Sequence, residues 1–291
     1  MRCWTLNRFR APKPPGFKNL REGQCQAHEK KSVKISVNLR PIEGSDEAAR
    51  LGLPSYLWRA GQERRLELVR RHVSLEGRRV LDLGCGVGMY TAAFRRYTHS
   101  VYGLEIDFSR AQEAAEKSAG VVLAQAEELP FAGASFDVVF SHEVLEHVRD
   151  DRAAVREAAR VLRPGGHLVI FVPNRWYPFE THGFHWRGKY HFGLVPLVNY
   201  LPDFLRRHLC PHVRAYSWRA LRNLLAQEGL RPTFHTRIYP GYDNISVRHP
   251  KLGAILRRLT YALEGTPLSL FGLSHFVVAE KSASFGDYFT G

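Results

Sequence analysis

Residues 80–90 read Val-Leu-Asp-Leu-Gly-Cys-Gly-Val-Gly-Met-Tyr. The first four predict a buried strand, the three glycines a tight turn, and Met89 the beginning of a helix. Such a turn lets backbone N–H groups approach a ligand, because glycine has no Cβ and adopts positive φ at little cost. A strand, a glycine-rich turn and a helix in this order are typical of a nucleotide-type cofactor site in an open α/β sheet. The glycines alone leave open a tight loop that binds nothing.

The residues that follow the turn favour a ligand. We expect a helix as far as about Tyr97 and a second strand over 100–105, which ends in Glu105. An acidic side chain at the end of this strand can accept hydrogen bonds from both hydroxyls of a ribose. The glycine spacing differs from Gly-x-Gly-x-x-Gly, which argues against a nicotinamide or flavin cofactor.

The turn and the acidic residue after it resemble the class I S-adenosylmethionine (SAM) methyltransferases, through the pattern Asp-x-Gly-Cys-Gly-x-Gly. Residues 124–131, 135–148 and 160–172 resemble the later motifs of the small-molecule branch, which includes the type 11 and quinone-biosynthesis methyltransferases. The resemblance covers about residues 78–174. It implies an enzyme that transfers a methyl group from SAM (EC 2.1.1.-), and it says little about the acceptor.

Strands alternate with helices in this part of the chain, which predicts a parallel sheet. The expected strands are 79–83, 100–105, 120–124, 136–141, 167–172, 232–238 and 274–280, and the expected helices include 54–72, 109–118, 150–162 and 216–229. Pro164-Gly165-Gly166 is expected to end a helix and turn the chain back. The resemblance implies a Rossmann-like α/β fold, with seven mostly parallel strands in the order 3-2-1-4-5-7-6, strand seven antiparallel, and helices on both faces.

Composition marks the segments outside this core. Residues 1–43 are basic and rich in proline, which predicts a disordered tail. The methyltransferase domain is expected over 44–284, with cap helices in 44–75, a SAM-binding core over 78–174, acceptor lid insertions over 175–215 and 245–270, and a C-terminal tail over 285–291. The first insertion is too long and too apolar for an ordinary connection.

Charge and hydropathy indicate which kinds of partner the protein can bind. The net charge is +14, and residues 163–258 hold 15 Lys and Arg against four acidic residues. These charges are either solvated or attract an anionic partner. Residues 250–264 predict a basic amphipathic helix that either packs on its own domain or lies on an anionic membrane. Solvated charges are expected for the arginines of the first helix: Arg64, Arg65, Arg70 and Arg71.

The compartment is expected to be the cytoplasm, with peripheral contact at the inner face of the membrane as the alternative. The chain has no apolar run of about 18 residues, and its first 40 residues lack the apolar core of a signal peptide. Its four cysteines show no paired spacing that would indicate disulfides or a zinc site.

The resemblance and the expected geometry together place eleven residues at the cofactor. The glycines allow close approach to its methionine part and ribose, Glu105 takes the ribose hydroxyls, and Ile106 packs on the adenine. Asp82 either orients the turn, bonding its amides, or reaches the cofactor's amino group. Gln125 stands where many family members carry Asp. The full set is Asp82, Gly84, Cys85, Gly86, Gly88, Glu105, Ile106, Gln125, Ala126, Ser141 and His142.

The catalytic candidates are Glu143, His147 and His182. On a helix, Glu143 and His147 would share one face with Glu146. Glu-x-x-Glu-His resembles a motif of the quinone-biosynthesis O-methyltransferases, in which these side chains can hold a divalent cation. The same residues also position a helix without a metal, and we predict no metal here. Glu180 and His182 follow strand five and are candidates for a base, and a structural hydrogen bond is the alternative for His182.

The leading interpretation is methyl transfer from SAM to an oxygen of a small-molecule, lipid-linked or glycan acceptor of anionic character. An RNA methyltransferase is the first alternative, because the second half of the chain is basic and aromatic. A non-catalytic SAM-binding module is the second. The small-molecule motifs argue against the first alternative, and the intact turn with Glu105 argues against the second.

Overall fold

The computed structural model describes residues 58–118, 120–187, 189–191 and 193–282. The predicted tails, 1–43 and 285–291, lie outside the described residues, as does the part of the cap helices before residue 58. Those predictions therefore stay predictions.

Seven of the strands form one twisted sheet at the centre of the domain. The strands are β1 Val80–Leu83, β2 Val101–Glu105, β3 Val121–Leu123, β4 Phe136–His142, β5 Leu162–Pro173, β6 Phe179–Glu180, β7 Phe184–Trp186, β8 Lys189–His191, β9 Val195–Pro196, β10 Leu230–Ile238 and β11 Ser274–Lys281. The order in the main sheet is β3-β2-β1-β4-β5-β11-β10. Strand β11 is antiparallel to both neighbours, and the other pairs are parallel. Because β6 to β9 lie outside this sheet, its own count gives the predicted order 3-2-1-4-5-7-6.

Helices cover both faces of the sheet, as predicted. They are α1 Ala60–His72, α2 Met89–Phe94, α3 Phe108–Lys117, α4 Asp151–Val161, α5 Asp203–Leu209, α6 Trp218–Gln227, α7 Asp243–Arg248 and α8 Pro250–Leu263. One core cluster packs α4 and α6 on one face, and a second packs α1 and α2 on the other. Strand β4 is buried over Phe136–Ser141, which explains its nearly continuous apolar sequence.

Three predicted boundaries were wrong: the beginning of one helix, the end of another and the beginning of the fifth strand. The helix expected from Ser109 begins at Phe108, because the Asp107 side chain accepts from the Arg110 N–H at 2.9 Å and caps it. The helix expected to reach Tyr97 ends at Phe94.

The fifth strand begins at Leu162, before the expected turn over 164–166. Leu162 already pairs with Phe136, and the regular register resumes with Val138 opposite His167. The residues between form an irregularity in the strand, where Gly165 has a φ of +71°.

Two insertions lie at the carboxyl edge of the sheet, the edge that carries the glycine turn. The lid insertion, residues 174–217, follows the end of β5 and holds β6 to β9 and α5. The helical insertion, residues 239–273, follows the end of β10 and holds α7 and α8. Open α/β sheets bind ligands at the carboxyl ends of their strands. None of the described helices is both long and apolar enough to cross a bilayer.

Candidate active site

The glycine turn after β1 has the conformation that its sequence predicts. Gly84, Gly86 and Gly88 have φ values of +70°, +54° and +80°. A Cβ at Gly84 would lie 2.4 Å from a methyl of Val144, and one at Gly88 would lie 3.0 Å from the Ala114 Cα. The turn therefore needs glycine for its backbone conformation and for the space around it.

Substitution of Gly84 tests this double requirement. We expect Gly84→Ala to lower the free energy of unfolding by about 3 kcal/mol, from left-handed strain plus overpacking. Gly77→Ala is the matched control, because Gly77 has a φ of +69° and its Cβ would have no neighbour within 4 Å. It should cost about 1 kcal/mol, the strain alone. Urea unfolding measures both, and Gly84→Ala/Val144→Ala should recover part of the loss. Equal costs for the two single variants would show that the space at Gly84 is irrelevant.

Glu105 joins the end of β2 to the glycine turn. Its buried carboxylate accepts from the N–H of Gly86 at 2.8 Å, of Ile106 at 2.9 Å and of Asp107 at 3.0 Å. A carboxylate offers about four lone-pair sites. It can therefore hold the turn in place and still accept from a ribose hydroxyl, which is the role predicted for it.

Asp82 is buried near the end of β1, just before the glycine turn in the chain, and contacts the first turn of α2. The Thr91 hydroxyl donates to its carboxylate at 2.6 Å. Burial raises the pKa of Asp82 to about 7, although the bond from Thr91 opposes the rise. Thr91 was not among the predicted site residues, because a threonine in a short helix carries no signal by itself.

The residues predicted at the adenine lie around the loop that follows β3. Ile106 and Gln125 are half-buried, so their side chains remain available to a ligand. Ala126 packs in the core, which leaves only its backbone for the predicted contact. Cys85 is also buried, its N–H donates to the Leu104 carbonyl at 2.9 Å, and burial raises the pKa of its thiol.

Beyond the turn, buried polar atoms gather without hydrogen-bond partners among the described residues. They are the Tyr90 hydroxyl, the Ser141 hydroxyl and the His142 Nε2. The His142 ring lies between Tyr90 and Phe171, with ring centroids 5.0 and 5.5 Å away. Burial lowers the pKa of His142 to about 4, so the ring is neutral. Buried polar groups normally have partners, and such a group indicates a place for a polar ligand.

Helix α1 carries two arginines, Arg64 and Arg65, whose charges were expected to be solvated. Arg64 pairs with Glu264 of the helical insertion and lies over the Tyr261 ring. Arg65 is half-buried, its Nε has no partner among the described residues, and its guanidinium lies 6.0 Å from the Phe171 ring centroid. The prediction was therefore wrong for both residues, because the insertion and the site face this side of α1.

The Glu143–His147 segment was predicted as a helix, and it forms a turn instead. Glu143 has a φ of +56°, and the His147 N–H donates to the Val144 carbonyl at 2.9 Å. The Glu143 side chain is 39% exposed, whereas Glu146 is buried. The expected helical face of Glu143, Glu146 and His147 therefore does not form, although the negative charge of Glu143 still acts on the other two side chains, in the direction of a higher pKa for both.

The turn brings Glu146 and His147 to His182 of the lid insertion. One ligand atom from each lies within 4.8 Å of the others, so this trio could hold a divalent cation. Both Glu146 oxygens and the His147 Nδ1 have no partner among the described residues. Burial raises the pKa of Glu146 to about 8 and lowers that of His147 to about 3. The trio thus forms a polar site under the lid.

Glu180 fixes the orientation of His182. One carboxylate oxygen lies 3.1 Å from the His182 Nδ1, and the other accepts from Arg206 at 2.7 Å. Burial alone would raise the pKa of Glu180, but the bond with His182 and the charge of Arg206 lower it to about 2. Burial alone would lower the pKa of His182, but the hydrogen bond with Glu180 raises it. Glu180 therefore positions His182, and its prediction as a candidate base was wrong.

The buried pair of Glu180 and Arg206 gives a stability prediction. Removing one partner leaves a buried charge uncompensated, so we expect Glu180→Gln to lower the free energy of unfolding by about 3–5 kcal/mol. The exposed pair of Arg231 and Glu280 is the control, and Glu280→Gln should cost about 0–1 kcal/mol. Thermal and urea unfolding measure the free energy of unfolding of both variants. Similar decreases in the two would contradict the larger contribution expected of the buried pair.

Comparison with known proteins places this site in a family. Residues 81–170 match the family model of a methyltransferase domain. The O-methyltransferase rstn1 of Aspergillus nomiae is 40% identical over 114 residues, which are 36% of this chain and 50% of that protein. The ubiquinone biosynthesis O-methyltransferase of Rhizobium etli is 38% identical over 107 residues, 35% of this chain and 43% of that protein. The chain spans about half, or less, of the length of these curated relatives.

Solved structures show the same fold. A SAM-dependent methyltransferase from Mesorhizobium loti covers 74% of this chain and 96% of its own, with a TM-score of 0.51 and 20% identity. The [4+2]-cyclase SpnF covers 78% of this chain and 84% of its own, with a TM-score of 0.50 and 18% identity. At these identities the likeness concerns the fold alone. Together with the glycine turn and Glu105, the matched family model supports the predicted class: residues 81–170 match a methyltransferase domain, on a fold shared with a SAM-dependent methyltransferase.

Proposed function

We propose that the protein transfers the methyl group of SAM to an oxygen of a small-molecule acceptor. One observation supports it most: Glu146, His147 and His182 form a polar site at the sheet edge that carries the glycine turn and Glu105, and both Glu146 oxygens and the His147 Nδ1 have no hydrogen-bond partner among the described residues. The named O-methyltransferases among the relatives agree with oxygen as the acceptor atom.

The chemistry requires alignment and a proton acceptor. Bound SAM supplies an activated methyl group, so the protein needs to place the acceptor in line with it. A hydroxyl must also lose its proton, which calls for a base within hydrogen-bond reach. His182 is suited to this, because its Nδ1 is held by the ionised Glu180 and its Nε2 is left for the acceptor.

The other two side chains of the trio suit binding better than proton removal. His147 is neutral and weakly basic, since burial lowers its pKa to about 3. Its unpartnered Nδ1 can accept a hydrogen bond from a second hydroxyl. Glu146 carries a proton at neutral pH, because its pKa is raised to about 8, and it can donate or accept.

We further propose that the acceptor is anionic. Arg65 brings a half-buried positive charge beside Phe171, and its Nε has no partner in the part of the chain that the structure describes. An acceptor carboxylate or phosphate close to the methylated hydroxyl would pair with it.

Methyl transfer can be tested with SAM that carries a tritiated methyl group. Acceptors to compare are 3,4-dihydroxybenzoate, catechol, which lacks the carboxylate, an extract of total lipids and transfer RNA. We expect label in a base-stable methyl ether and a preference for the carboxylate over catechol. Label only in RNA would replace the proposal with RNA methylation. Binding of S-adenosylhomocysteine with no transfer to any class would favour a non-catalytic module.

A further inference from the structure

Exposed apolar side chains are concentrated in the two insertions at the carboxyl edge of the sheet. Of the 16 large hydrophobic side chains exposed among the described residues, 14 lie in the lid insertion and the helical insertion. Trp186 and Phe204 are examples in the first, and Ile255 and Leu259 in the second. The Asn174 side chain joins the insertions by donating to the Leu270 and Gly272 carbonyls, both at 2.7 Å. Exposed apolar surface of this kind marks a binding face.

Helix α8 shows how this surface is built. Leu252, Ile255 and Leu259 follow each other at helical spacing and are exposed by 48%, 55% and 60%. Lys251 and Arg258 are exposed beside this row. The opposite side holds the helix on the protein, because Gly253 packs on Ser246 and Arg257 donates to the Gly241 carbonyl. The apolar row is thus presented outward by a helix that is fixed from behind.

The charge of the surface is positive. The two insertions contain four acidic residues, and each is engaged within the protein: Glu180 with Arg206, Asp203 with Arg175, Asp243 with the Gly61 N–H, and Glu264 with Arg64. Exposed basic side chains remain on both insertions: Arg187, Lys189, Arg207, Arg248, Lys251 and Arg258. A second copy of this face would bring like charges together, which disfavours a symmetric dimer.

We propose that the two insertions dock on an anionic lipid surface. The apolar row of α8 and the lid aromatics would enter the interface, and the basic residues would meet the lipid headgroups. Both insertions lie at the sheet edge that carries the active site, and the lid insertion supplies His182 of the trio. If the proposed function holds, an amphiphilic acceptor could therefore pass from the bilayer to the trio under the lid. Docking itself requires no turnover.

Vesicle flotation of the full chain tests the proposal. Vesicles of phosphatidylglycerol with phosphatidylcholine are compared with phosphatidylcholine alone, and we expect binding to the anionic vesicles only. Ile255→Glu/Leu259→Glu should weaken this binding about tenfold or more. Phe108→Glu/Leu123→Glu is the matched control, because it makes the same change at exposed positions outside the insertions. The basic residues 1–40 are present in every variant and cannot cause a difference.

Further measurements separate docking on lipid from misfolding and from dimer formation. Lys251→Glu/Arg258→Glu reverses the charge and keeps the apolar row, so it should also weaken binding. Unchanged thermal midpoints would show that the variants fold. The proposal fails if the wild type ignores anionic vesicles, or if the control pair loses as much binding as the α8 pair. It also fails if light scattering shows a lipid-free dimer that Ile255→Glu/Leu259→Glu converts to a monomer. S-adenosylhomocysteine binding, measured in parallel, reports on the cofactor site independently.

Discussion

Glu105→Ala should lower the affinity for S-adenosylhomocysteine about a hundredfold or more, because hydrogen bonds to a charged group contribute about 1.5–3 kcal/mol each. The carboxylate is the predicted acceptor for the ribose hydroxyls. It also accepts from the N–H groups of Gly86, Ile106 and Asp107, and alanine leaves all three without this partner. The variant therefore loses a ligand contact and the bond that holds the turn. Isothermal titration calorimetry measures the affinity.

A second acidic residue controls for charge. Glu116 is exposed on α3, and Glu116→Ala makes the same change of charge away from the turn. We expect it to bind as the wild type does. Titrations are run below the ligand-free unfolding midpoint of each variant, so that a loss of affinity is not a loss of fold. Wild-type affinity in folded Glu105→Ala would remove the basis for assigning SAM to this edge of the sheet.

The parts that the sequence predicts well depend on local chemistry. The glycine turn was predictable because only glycine combines positive φ with the space available at Gly84. The parallel sheet was predictable because strands and helices alternate. The order of its strands was predictable because the motifs stand in the family's order. Ser217 was predictable as a cap, and its hydroxyl accepts from the Ala220 N–H at 3.2 Å.

The lid side of the site depends on contacts between distant residues. Glu180 is a plausible base in the sequence, and only its distant partner Arg206 shows that it is a fixed counter-charge. The helical spacing of Glu143 and His147 predicted a shared helix face. This prediction was wrong, because the backbone turns at Glu143 instead of continuing as a helix. His182 therefore replaces Glu143 in the polar trio. The periodicity of the sequence cannot reveal which residue joins the trio, since this depends on the position of the lid insertion.

The fold alone does not decide the activity, so the trio needs its own test. SpnF, named as a cyclase, shares this fold with the methyltransferase of Mesorhizobium loti. Loss of methyl transfer with retained cofactor binding is the result that would distinguish a reaction site from a structural cluster.

His182→Ala should reduce kcat for O-methylation by about 10²–10⁴, the usual contribution of a positioned base. The affinity for S-adenosylhomocysteine should stay unchanged, because His182 lies in the lid insertion and not at the turn. In the wild type, kcat/KM should rise with pH, since only neutral imidazole accepts a proton. The midpoint should lie above 6.5, because the hydrogen bond with the ionised Glu180 raises the pKa of His182. In His182→Ala this rising limb should disappear.

Two controls decide whether His182 acts as a base. His191→Ala removes an exposed histidine of the same insertion and should leave kcat and the pH profile unchanged. Treatment with EDTA should also leave the wild-type rate unchanged. A rate that EDTA abolishes and Mg²⁺ restores would assign Glu146, His147 and His182 to a cation instead, with the acceptor hydroxyl deprotonated at the metal. Full activity of His182→Ala would exclude both roles, because neither a base nor a ligand could be lost from this trio without affecting the rate.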